Sequence, residues 1–402
     1  MTAETAGPTP EDGVPSERTA VVVVHGMGEK HPMESLDDFA KTALRPHSAQ
    51  GYKKWDYYSQ PVEITDSYEA RRFDSAQAEI YQYHWTYLMT AGKYAGAMPM
   101  ALRVFLRRPS NVPDALLGIW RRVWTVLVAL LLAIPTLFVA GYALNTDVPV
   151  WIVGLITSAV VLVFWFGLYR MAAKALVNNT TTSLVDVARY LDPSPSSYAA
   201  RRAIRGGLVD LLHSLHDGRY ARIVVVAHGV GTYISYDALT ALWAETHLRR
   251  QVNPWCITDF VTVGAPMALA DLLVTRPGLL SGFTKSDGAR RRELFEGLVR
   301  RGALVRCPSR AEAPHVDSDE HSPFAVTRWT NLWFPVTRGS LHGDWFGGAL
   351  NPLFGPGIRD VAVEGNQPER LKRGSAHNEY FRHPAKDDEG DLAWHLRETL
   401  AL

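Results

Sequence analysis

The sequence predicts an α/β fold, a mostly parallel sheet flanked by helices and interrupted by an inserted two-helix transmembrane hairpin. Three observations carry this. Thr19–Val24 and Ile223–Val226 are short runs dominated by β-branched residues, the pattern of strands buried on both faces. Each run ends in a turn containing glycine, and after the second turn Ile234, Ala238, Leu239 and Leu242 recur at the spacing of one apolar helical stripe. Val123–Leu144 and Val148–Tyr169 are each 22 residues long and carry no charge.

Composition narrows the function classes. The 402 residues hold 42 Lys and Arg against 41 Asp and Glu, a net charge of +1, with no basic stripe interleaved with aromatics. Nucleic acid is therefore not an expected partner. Cys256 and Cys307 give neither a disulfide framework nor metal-ligand spacing, which suits a reducing compartment. No nucleotide-binding signature follows the glycine turns, and neither a cofactor nor a metal is expected. The chain divides into a polar tail (residues 1–18), a first part of the α/β domain (19–106), the hairpin (107–174) and a second part of the same domain (175–402). The tail, Met1–Arg18, has no basic start and no apolar core, so it reads as disordered rather than as a signal peptide.

In chain order, the strand Thr19–Val24 runs into His25-Gly26-Met27-Gly28, a segment that also suits a plain glycine turn. Ile80–Trp85 alternates like a strand, and His84 within it reads as a strand histidine with a local partner. The two uncharged segments exceed the roughly 20 residues needed to cross a bilayer. Pro135 and Gly141 are tolerated in such helices. Arg107, Arg108, Arg121 and Arg122 precede the pair, Arg170 and Lys174 follow it, and the link Asn145–Asp147 has no Lys or Arg. The positive-inside bias then places both termini and the α/β domain in the cytoplasm, with membrane lipids as partners of the two segments.

Thr181–Leu191 and Ser197–His216 read as helices. His213 and His216 lie one helical turn apart, but without a third ligand they read as surface or satisfied histidines. Beyond the Ile223 strand and its helix, strands are expected at Ile257–Val263, Arg328–Phe334 and Ile358–Val363. Arg290–Arg301 reads as an exposed helix, part of a lid or of a solvated loop, and Trp394–Leu400 as a closing helix.

Several of these turns carry chemistry. Strand, Ala227-His228-Gly229-Val230-Gly231, helix resembles the nucleophile elbow G-x-S-x-G of the α/β-hydrolase superfamily, with lipase- and esterase-like members. Any buried strand–turn–helix of an open α/β sheet is the competing account of that pentapeptide alone. Thr262-Val263-Gly264-Ala265-Pro266 resembles the T-x-G-[SA]-P turn of lipase-like sequences, and His377-Asn378-Glu379-Tyr380 their H-x-x-Y segment. The resemblance implies that Asp344 is the triad acid, with Asp360 the runner-up, and His377 the triad base, with His383 its competitor. It implies that the oxyanion hole is built from the backbone N–H groups of Met27 and Val230. The serine position is Gly229, which has no oxygen to attack a carbonyl.

The expectation is a membrane-anchored pseudo-hydrolase that binds an acyl ligand or a protein partner. The alternative is an active ester or lipid hydrolase using a water activated by His377, or Thr232 or Ser235 on the elbow helix.

Overall fold

The computed structural model describes residues 16–26, 34–44, 47–49, 52–54, 57–59, 63–75, 78–89, 106–144, 149, 151–163, 187, 189–192, 194–218, 220–249, 254–274, 284, 286–309, 322–336, 342–363, 376–381 and 390–401. Its strands are β1 (Ser16–Val24), β2 (His47–Ala49), β3 (Tyr52–Lys54), β4 (Tyr57–Ser59), β5 (Glu63–Ile64), β6 (Glu69–Ser75), β7 (Glu79–His84), β8 (Tyr220–His228), β9 (Ile257–Val263), β10 (Arg328–Trp333) and β11 (Arg359–Ala362). Its helices are α1 (Glu34–Ala43), α2 (Asp114–Leu144), α3 (Trp151–Val163), α4 (Pro195–Asp217), α5 (Gly231–Arg249), α6 (Ala270–Val274), α7 (Asp287–Arg300), α8 (Asn351–Phe354) and α9 (Leu392–Leu400).

Nine strands form the main sheet, in the order β11-β10-β9-β8-β1-β7-β6-β4, with β5 pairing β6 off that path. The six from β11 to β7 are parallel, and β6 turns back against β7. The β-branched runs lie at its centre, β1 and β8, where both faces are covered and period-2 alternation disappears. Ala20, Val22, Val24, Ile223, Val225 and Ala227 face α4 and α5, through Leu208, Leu212, Ile234 and Leu239. Val21, Val23, Val224 and Val226 face α1 and α9, through Leu36, Phe39, Leu392 and Leu396.

The helices after β1 and β8 therefore leave on opposite faces. Adjacent parallel strands whose connections diverge in this way open a crevice at their carboxyl ends, the usual ligand position in open α/β sheets. Here that crevice lies between His25-Gly26 and the Gly229 turn.

Several boundaries differ from those expected. β1 begins at Ser16 and takes in the last residues assigned to the tail; the rest of the tail lies outside the described residues. α7 is exposed on one face only: Arg290, Arg292 and Leu294 are exposed, whereas Asp287, Arg291, Phe295 and Gly297 are buried. Most of the Thr181–Leu191 segment, the link Asn145–Asp147 and the far end of Val148–Tyr169 also lie outside the described residues.

Among the described residues one helix, Asp114–Ala143 within α2, is long and apolar enough to cross a membrane. The 31 residues of α2 span about 46 Å. Its foot, Leu116 and Leu117, is buried in the domain core, whereas Leu131, Leu132, Val139 and Tyr142 are exposed. The described part of α3 is shorter and also exposes Trp151, Leu155, Leu162 and Val163. Gly141 of α2 approaches α3 closely, for a Cβ there would stand 3.3 Å from Val153.

Arg107 does not belong to the exposed basic flank. It is fully buried and ion-paired with Asp287. Arg291 bridges Asp287 at 3.3 Å and Asp271 of α6 at 3.1 Å, and donates to the Asn111 carbonyl at 2.8 Å. This network ties the segment before α2 to α6 and α7. Arg108, Arg121 and Arg122 remain exposed.

Candidate active site

The Gly229 turn is shaped by two glycines with different duties. Gly229 has φ +56°, a conformation that costs other residues strain. Gly231 is needed for closeness: a Cβ there would lie 2.2 Å from the Val24 carbonyl oxygen, so only glycine lets α5 start against the end of β1. Thr232 closes the first turn by donating its hydroxyl to the Gly229 carbonyl at 2.7 Å.

Opposite the turn stands His377, in a short 3-10 turn, Ala376–Asn378. A Cβ built on Gly229 would be 3.2 Å from its Nε2 and 3.5 Å from the Gly26 Cα. His377 Nδ1 donates to the Asp344 carboxylate, at 3.1 and 3.0 Å from its two oxygens. With Nδ1 bonded to Asp344, the ring directs Nε2 at the Gly229 turn. Both side chains are almost wholly enclosed, at 2% and 1% exposure.

Asp344 is satisfied on every side. It also accepts from the Tyr380 hydroxyl at 2.8 Å and from the Phe346 N–H at 2.9 Å. Burial alone would raise its pKa. The charge and hydrogen bond of His377, the Phe346 amide and the Tyr380 hydroxyl together outweigh burial and hold it below the usual carboxylate range. Two further glycines make room: a Cβ on Gly264 would fall 2.5 Å from the Tyr380 ring and 2.9 Å from Asp344 Oδ2, and one on Gly347 would fall 2.7 Å from the same oxygen.

His228, just before the turn, lies against Asp344's partner. Its Nε2 donates to the His377 carbonyl at 2.8 Å, and the two rings are 5.1 Å apart. Desolvation, and then the neighbouring His377, push its pKa down to about 3, so the ring is a neutral strut. It also accounts for Gly26, where a Cβ would stand 3.2 Å from His228 Nδ1.

The structure brings Gly229, Val230, Asp344 and His377 to one edge of the sheet. Met27 and His383 lie outside the described residues. Asp360 is elsewhere, on β11, where its carboxylate accepts from Asn331 Nδ2 at 2.7 Å and from the Leu350 and Asn351 amides at 3.0 and 2.8 Å. Thr232 and Ser235 are both fully buried on α5.

His84 is nearer the site than expected. It ends β7 beside β1, with its ring 6.1 Å from that of His25, which stacks on Trp85 at 5.8 Å. His216 bonds the Leu212 carbonyl and His213 faces Glu245; among the described residues no cluster could hold a metal. A cavity of about 710 Å³, lined by Arg222, Asp259, Arg328 and Arg359, opens at the other end of the strands and takes no part in this site.

No protein-family model, curated protein or solved structure matches the chain.

Proposed function

We propose that the chain is a membrane-tethered pseudo-hydrolase, an α/β-hydrolase-like domain whose catalytic turn has lost its nucleophile and which binds a ligand or partner there. One observation carries the reading: a complete His377–Asp344 pair faces a turn whose residue has no side chain, with the Gly229 Cβ position 3.2 Å from His377 Nε2. A hydroxyl at that place would have a base within reach, and its absence leaves at most the slow catalysis of the surrounding groups. The tether is α2 with α3, forming a hairpin in the cell membrane with both flanks cytoplasmic. Its support is the exposed apolar surface of both helices and the exposed Arg108, Arg121 and Arg122.

The test is Gly229→Ser with a fluorophosphonate probe. The unaltered chain should stay unlabelled and the variant should acquire label at residue 229. The serine brings a conformational strain of about 1–3 kcal/mol, so a lowered melting temperature should accompany the gain. Labelling of the unaltered chain would refute the reading.

The intact dyad favours one second reading, a slow hydrolase in which His377 Nε2 takes a proton from water. It predicts ester turnover by the unaltered chain that disappears in His377→Gln.

A further inference from the structure

We propose that the Gly229 turn is a receptor for a carboxyl group, with one ligand oxygen in the space a residue-229 side chain would fill and the other toward the first amides of α5. This rests on the pseudo-hydrolase reading and names the chemistry of its ligand.

Two independent features meet there. The first is the start of α5, a 19-residue helix: the N–H groups of Gly231 and of Val230 just before it stand where a helix has no internal acceptors. The second is His377 Nε2. The ring is 2% exposed, its Nδ1 is committed to Asp344, and among the described residues Nε2 has no partner. It points at the turn, 3.2 Å from the Gly229 Cβ position. A ligand oxygen lodged between Nε2 and the bare Cα of Gly229 takes the part of the missing serine hydroxyl.

The chemistry of the two features selects the ligand. With Asp344 holding the Nδ1 proton, Nε2 accepts. A carboxylic acid entering the turn gives up its O–H proton to Nε2: that bond breaks, the N–H bond forms, and a carboxylate–imidazolium pair results with no change in total charge. Where the ligand is already ionised, solvent supplies the same proton. The carboxylate then has two kinds of donor, the imidazolium N–H and the α5 amides, and charge-assisted bonds of this type are the strong ones. An ester has no such proton and forms no such pair. The groups facing His377 leave this exchange free: Asp344 is held ionised, His228 is neutral and bonded to the His377 carbonyl, and the Tyr380 hydroxyl is committed to Asp344.

The experiment uses the full chain in a non-ionic detergent and titrates it calorimetrically with decanoate, acetate and methyl decanoate. Decanoate should bind about tenfold or more tighter than methyl decanoate. His377→Gln and Gly229→Ala should each weaken decanoate by a similar factor, the second by placing a methyl group against the oxygen. Decanoate tighter than acetate identifies a fatty acid drawn from the bilayer; equal affinities identify a small soluble acid; both support a carboxyl site. Methyl decanoate binding as tightly as decanoate would overturn the proposal, and so would full decanoate affinity in a His377→Gln variant that keeps its melting temperature. Should both variants fail to fold, the ligand series on the unaltered protein still decides. Cleavage of p-nitrophenyl decanoate by the unaltered chain would instead refute the pseudo-hydrolase reading, and is read separately from affinity.

Discussion

Tyr380→Phe removes one oxygen and isolates what the H-x-x-Y segment contributes. In the structure that hydroxyl donates to Asp344 Oδ2 at 2.8 Å and accepts the Phe334 N–H at 3.0 Å. A hydrogen bond to a charged group is worth about 1.5–3 kcal/mol, and a buried amide left unpaired costs about 1–3 kcal/mol. Contacts are lost elsewhere only slightly, since the ring still stacks on Phe334 with centroids 4.4 Å apart. The expected loss is about 3 kcal/mol, or a melting point lower by about 6–12 °C for a domain of this size. The loss should also depend on pH. Asp344 has a folded-state pKa below its unfolded one, so its stabilisation is present above the unfolded value of about 4 and fades as pH falls through the folded value. Without the hydroxyl the folded value rises toward the unfolded one. The gap between variant and native protein should therefore be widest at neutral pH and narrow below about pH 4. Melting curves at pH 7 and at successive values below pH 4 measure it. A variant within about 0.5 kcal/mol of native at pH 7 would show that Tyr380 does not hold the acid.

Three further outcomes follow from other parts of the molecule. Arg107→Met should destabilise the domain by about 3 kcal/mol, because Asp287 is left buried with Arg291 alone, and adding Asp287→Leu should recover much of that; a double-mutant cycle by denaturant melting measures both. A cysteine at Thr146 should react with an impermeant thiol reagent on intact cells, while one placed near the C-terminus should not, as the proposed hairpin topology requires. His228 is protonated in the unfolded chain at about pH 6.5 but in the folded one only near 3, so stability should fall between those values as pH drops, by up to about 1.4 kcal/mol per unit. His228→Gln should flatten that slope in pH-dependent melting.

The central strands were legible because their signal is local: runs such as Val21–Val24 and Ile223–Val226 are apolar where both faces are covered. The glycine turns were legible for a similar reason, since Gly229 and Gly264 each take a φ of +56° and Gly231 meets a backbone carbonyl. What escaped depends on distant partners. Arg291 read as part of an exposed helix, yet it is buried against Asp287 and Asp271, and Asp287 pairs with Arg107, 180 residues away. His84 had no reason to approach the elbow until β7 is seen to pair with β1 and β1 with β8. Tyr380 stood in a noticed motif, but its use needs the Asp344 loop, and the choice between Asp344 and Asp360 is equally a matter of tertiary placement. Asp360 has turned its carboxylate to the amides that open α8.

The dyad is not accounted for by folding. Enclosing a carboxylate and an imidazole costs desolvation that their mutual attraction roughly returns, so a buried pair of this kind adds little net stability over well-packed apolar side chains. Yet the chain surrounds this pair with arrangements fitted to it. Tyr380 and the Phe346 amide satisfy the acid, Gly264 and Gly347 leave it room, and His228 holds the backbone of His377. All of them converge on an Nε2 that faces an unfilled position at the switch point of the sheet. A core requirement would be met as well by filling that position, and Gly229, at φ +56°, is the residue that leaves it open with least strain. On the proposed reading, a ligand from outside the chain supplies the oxygen that Gly229 lacks.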